Sequence, residues 1–144
     1  MGSGFSRKAA AGLLEYLLGK AETKVSKPAE VFLALCTAEV KESTLSAGLS
    51  EATYTTYARK AIKPADLSEA TEAQPSIIET VNELIFAKVD SGSSTIISWA
   101  ICTSGTTGGG AILAFGQCTS TALSTTQTPP TVAAKALKVE LKAT

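Results

Sequence analysis

The chain has 144 residues, of which 44% are apolar and 18% charged; this suits one ordinary domain with its own core and excludes a disordered or collagen-like polymer. Thirteen basic and thirteen acidic groups cancel, and the arginines are Arg7 and Arg59 alone, so there is no basic footprint for nucleic acid. Histidine is absent, which removes the commonest general base and metal ligand, and with it most hydrolase triads and catalytic zinc sites.

The opening residues lack the charged, then apolar, then small order of a secretory signal. Met1 to Ser6 matches the short myristoylation pattern, but an ordinary Gly/Ser-rich start accounts for the same residues. Residues 6–18 predict a helix. Ser6 is its N-cap, and Ala10, Leu13, Leu14, Leu17 and Leu18 share one face at offsets of three and four. Gly19 stops it. So short a helix needs a partner surface, in its own domain or on another chain. Residues 20–30 are a polar connector containing Pro28. Residues 31–37 form a continuous apolar run, read as a central strand covered on both faces.

Residues 38–56 are a long polar loop, and loops of that length are often functional. A strand is expected over 56–62. Residues 64–75 are loop, with room for a helical turn over 66–73. Residues 76–89 fit either a helix or two strands split near Asn82; their β-branched side chains favour strands. Residues 94–103 and 111–119 read as an antiparallel hairpin around a Gly-rich tip. Residues 120–131 are a Ser/Thr loop. From Leu137 the chain alternates, with Leu137, Val139 and Leu141 facing in and Lys138, Glu140 and Lys142 facing out. Six or seven strands after one helix, without βα alternation, predict a mainly β fold: an antiparallel β-sandwich or open barrel with an N-terminal helix. Residues 1–24 are the expected helix or arm and residues 25–144 the sandwich domain.

Chemistry is thin along this chain. The Gly-rich tip at 105–110 leads into a strand and has no nearby lysine, so it lacks the parts of a phosphate loop. The lysines lie in solvated stretches, which disfavours a Ser–Lys nucleophile. No acidic cluster has metal-ligand spacing. Neither catalytic residues, a metal nor a cofactor is expected. Nor is a membrane partner, because the apolar stretches fall short of the roughly 20 residues a span needs. The cysteines (Cys36, Cys102 and Cys118) lie in apolar runs and read as small buried hydrophobes; Cys102 and Cys118 are also candidates to face each other on neighbouring strands. Trp99 reads as core. Tyr54 and Tyr57, beside Glu51 and Arg59, suit either a clasp that anchors the long loop or an interface, and Arg59 meets Glu51 if the loop folds back.

The run Ser50-Glu51-Ala52-Thr53-Tyr54-Thr55-Thr56-Tyr57-Ala58-Arg59 resembles the S-E-A-x-Y-x-G-Y-A-R stretch of a family of small tailed-phage virion proteins. Members are often labelled tail-fibre proteins, and some resemble capsid decoration or cement proteins. Thr56 stands where that family usually carries Gly; at a positive φ, a Thr there would be strained. The opening helix, the Leu33-Ala34-Leu35 strand, the Gly/Thr-rich hairpin tip and the Ser/Thr/Pro loop follow in the same order.

The resemblance implies a non-enzymatic virion component. The leading expectation is a capsid cement protein that binds across major capsid protein subunits and stabilises the assembled head. The first alternative is a tail or tail-fibre-associated protein bound to tail proteins. The second is a receptor- or carbohydrate-binding module, which needs exposed aromatics on one loop end. A homo-oligomer or symmetric array on the virion is expected. Arg7, Leu13, Leu17, Glu51, Tyr54, Tyr57 and Arg59 are the candidate partner-binding residues, on the helix and the 38–56 loop.

Overall fold

The computed structural model describes residues 3–21 and 24–141. The fold is mostly β. A five-stranded antiparallel sheet runs in the order β1(Gly4–Phe5), β7(Ile112–Leu123), β6(Ser94–Cys102), β2(Val31–Cys36), β3(Lys60–Ile62). Two short ribbons complete it: β4(Ser76–Glu79) with β9(Lys138–Leu141), and β5(Leu84–Ile85) with β8(Thr131–Val132). The only α-helix among the described residues is α1(Arg7–Leu17).

β2 shows why the sheet has two cores. Its side chains alternate, and every one from Leu33 to Cys36 is buried. Leu33 and Leu35 join Ile101, Ala114, Leu84, Phe86 and Leu137 on the face covered by the ribbons. Ala34 and Cys36 join Val40, Ala100, Cys102, Ile112 and Phe115 on the opposite face, which the 38–56 loop covers. The result is an open sandwich of unequal layers. As the sequence predicts, β2 is central, residues 76–85 hold two strands split near Asn82, and β6 and β7 form a hairpin.

Several details differ. β7 runs on to Leu123, so the expected 120–131 loop begins only at residue 124 and ends where β8 starts at Thr131. β3 starts at Lys60 rather than Thr56, because Tyr57 N–H donates to Tyr54 O (2.9 Å) and closes a turn there. The helical turn falls at Pro64–Asp66, where proline presets the first helical φ. Leu141 is exposed although the alternation points it inward, whereas Leu137 is buried and Val139 half-buried. Lys142, Met1 and Gly2 lie outside the described residues. The N-terminal segment joins the main sheet: Gly4 and Phe5 pair with Phe115 and Ala114, a strand that two residues cannot announce by periodicity.

Ser6 caps α1 as expected. Its hydroxyl accepts from Ala9 N–H (3.0 Å) and donates to Ile112 O, which ties the helix to β7. The buried helix residues are Ala9 and Gly12, while Leu14, Leu17 and Leu18 are exposed. The helix therefore docks through small residues. A Cβ on Gly12 would sit 3.2 Å from Val25 Cβ, so a side chain there would need Val25 to give by a few tenths of an ångström.

The cysteines also depart from expectation in one respect. Cys36 and Cys102 are buried, but Cys118 is exposed. The register sets Cys102 opposite Ile112, so it does not face Cys118, and all three thiols are free. Trp99 is half-buried against the core and lies over Gly116, where an added Cβ would come within 2.5 Å of the indole.

Candidate functional site

The Ser50–Arg59 segment folds into the protein. Residue 51 bridges to Cys36, and Ala52 N–H donates to Leu35 O (2.9 Å), so the end of the long loop runs beside β2. The turn at Tyr54–Tyr57 then reverses the chain into β3. Arg59, one residue before β3, is thereby returned to Glu51.

The two side chains form an enclosed ion pair, 0% and 2% exposed, with Arg59 Nη2 2.6 Å from Glu51 Oε1. Arg59 Nε donates to Oε1 (3.1 Å) and Oε2 (3.2 Å). Tyr57 hydroxyl donates to Oε2 (2.7 Å) and itself accepts from Leu35 N–H (3.1 Å). Gly108 N–H points at Oε1 from 3.4 Å. The other side of the guanidinium holds the hairpin tip: Nη1 donates to Ser104 O (2.7 Å) and Gly109 O (3.0 Å). Nη2 also reaches Ser46 Oγ (3.2 Å), and that hydroxyl donates to Gly109 O (2.6 Å). One arginine thus ties the 38–56 loop, the entry to β3 and the Gly-rich tip together.

Charge and desolvation compete here. Burial alone would raise the Glu51 pKa, but hydrogen bonds from Arg59 and Tyr57, with the guanidinium charge, carry it below the ordinary 4.5. Burial, then the hydrogen bond to Glu51, pushes the Tyr57 pKa upward. Burial and the Glu51 charge push the Cys36 thiol up to about 12, so it stays protonated and inert. The pair is ionised, satisfied and shut away from solvent. That arrangement fixes shape; it offers no open acid or base to a substrate.

The structure brings together Glu51, Tyr54, Tyr57 and Arg59, with the two tyrosine rings edge-on at 5.5 Å. Glu51, Tyr54 and Arg59 are buried and Tyr57 half-buried. Their side chains anchor the loop, which is the clasp arrangement, and leave no aromatic platform on this loop for a glycan. Helix α1 lies apart from them: Arg7 makes an exposed ion pair with Glu42 (2.8 Å), Leu17 is exposed and Leu13 half-buried. Thr56 escapes the strain expected of a positive φ, which occurs at Lys135 and at glycines but not there; its hydroxyl donates to Lys88 O. The sequence gives no direct signal that Ser46, Ser104 and Gly109 complete the arginine's shell. The Gly-rich tip reads as a flexible turn, yet Gly110 sits at φ +71°, where a Cβ would lie 2.6 Å from Thr103 Oγ1. Among the described residues, no group of three or more His, Cys, Asp or Glu could hold a metal ion, and no helix is long and apolar enough to cross a membrane.

The domain is an open, mostly β sandwich whose buried ion pair ties its own loops together. A family model described as podophage GP4 fiber I protein gp80 matches residues 4–140, nearly the whole chain, and the chain belongs to that family. It is a bacteriophage structural protein of the tail-fibre type, in accord with the tail alternative; the family gives the capsid-cement expectation no specific support. No curated protein matches the chain.

Proposed function

We propose that this chain is a non-enzymatic structural unit of a podophage tail fibre, bound to other tail proteins in the virion. The match to a fibre family over residues 4–140 carries this reading. The geometry supports it. The buried ion pair joins Glu51 to Arg59, and Arg59 is in turn bonded to the hairpin tip, so the charges stiffen the domain. Of the candidate partner-binding residues, Arg7 and Leu17 on the helix stay available for direct contact, and Glu51, Tyr54, Tyr57 and Arg59 contribute by holding the loop in shape.

Interrupting the reading frame in the phage that encodes this chain tests the proposal. The expected particles have filled heads of normal heat resistance, tails that lack a fibre, and poor adsorption. Particles that keep their fibres and adsorb normally, but whose heads rupture at lower temperature, would return the protein to the capsid.

A further inference from the structure

An open slot runs along one side of the sandwich, between β7 and the chain over residues 130–141. One half, about 660 Å3, is walled by residues 3–5, 114–117 and 136–141. The other half, about 530 Å3, continues beside β7 to Leu123 and faces residues 130–133. Volumes of this order are those of ligand clefts. Trp99, Gln117, Ala136 and Leu137 belong to both halves, so the indole sits where they meet. The register sets Trp99 opposite Gly116, and the missing side chain there gives the ring room to lie across β7.

The polar groups of the slot are unspent. Among the described residues, the Trp99 indole N–H and the side chains of Gln117, Thr119 and Glu140 have no hydrogen-bond partner. Lys138, on the same wall, pairs with Glu79 (3.4 Å). That inventory selects the ligand. An extended peptide is held by ladder bonds to a regular strand edge. Here the β6–β7 register shifts between Ile96 opposite Thr121 and Ser98 opposite Gln117, so β7 bulges in the middle of the slot. The Thr119 carbonyl already accepts from the Thr121 hydroxyl (2.9 Å). Recognition therefore falls to side chains, a broad aromatic ring with an amide, a hydroxyl and a carboxylate around it. A pyranose sugar is their complement, because it offers an apolar C–H face to the ring and a rim of hydroxyls that both donate and accept. The elongated slot suits several sugars in a row.

We propose that the slot centred on Trp99 binds a linear oligosaccharide, with one pyranose ring stacked on the indole and its hydroxyls bonded to Gln117 and Thr119. The inference rests on the slot and stands independently of the fibre reading.

Trp99 is the only tryptophan, so its fluorescence reports on the slot directly. The full chain, screened on a printed array of microbial oligosaccharides, should capture at least one, and that saccharide in solution should shift the tryptophan emission saturably. By calorimetry, Trp99→Ala and Gln117→Ala should each weaken its binding about tenfold. Leu17→Ser, on the helix, should bind as the wild type does. Gln117 is exposed, so its variant decides the matter if Trp99→Ala fails to fold. No capture on the array, binding that leaves the tryptophan emission unmoved, or affinity unchanged in Gln117→Ala would each overturn the proposal. An array of extended peptides serves as the counter-screen, and capture of peptides without any saccharide would assign the slot to a polypeptide instead.

Discussion

Glu51 and Arg59 are eight positions apart, and they meet because the Tyr54–Tyr57 turn doubles the chain back. The enclosed pair sets the sharpest expectations at the scale of single residues. Removing one partner strands a buried charge or its hydrogen-bonding groups. Arg59→Met should therefore cost about 3–5 kcal/mol in urea unfolding. Acid adds a second readout. The Glu51 pKa is depressed in the folded state, so its contribution is complete above the ordinary 4.5 and is lost as pH falls through the lower folded value. The wild-type melting temperature should fall more steeply than that of Glu51→Gln over this acidic window, and parallel curves would contradict the account. Burial also protects Cys36 and Cys102. Neither should react with a thiol reagent until the protein is unfolded, as peptide mapping of alkylated samples will show. The pairing of Glu51 with Arg59 was legible in the sequence as a conditional, that the loop must fold back. The remaining partners of Arg59 were not, because backbone carbonyls of a distant hairpin tip leave no trace in residue type.

At the scale of elements, legibility followed periodicity. The unbroken run of β2 predicted burial on both faces, and the two cores are built on it. β1 was invisible because two residues have no period, and the end of β7 because Thr, Ser and Ala read as loop when no apolar alternation marks them. Helix α1 is legible in the sequence, but its leucine stripe does not mark its buried face. The face with the larger side chains is at the surface, and the face with Ala9 and Gly12 lies against the domain, where small residues permit close packing. Leu17→Ser should then change stability by no more than about 0.5 kcal/mol. Ser6→Ala should cost about 1 kcal/mol or more, because the cap bond and the tie to Ile112 O are both lost. Gly116→Ala drives a methyl group into the Trp99 indole and should cost about 1–3 kcal/mol, with a change in tryptophan fluorescence as the ring moves. Chemical denaturation of the three variants ranks them directly.

For the whole molecule, the same features add up to stiffness. The sheet is sealed on one face by ribbons and on the other by a loop, and that loop is bolted to the hairpin tip by a buried guanidinium. A domain built this way transmits position and presents surface, which is what a fibre demands of its parts. The absence of histidine removes the commonest general base and metal ligand. It does not separate head from tail, since both make the same physical demand; the match to a fibre family favours the tail reading. Gold-labelled antibody against this chain, imaged on intact virions, is the most direct measurement. The account predicts label confined to the tail, whereas label spread over the faces of the capsid would contradict it.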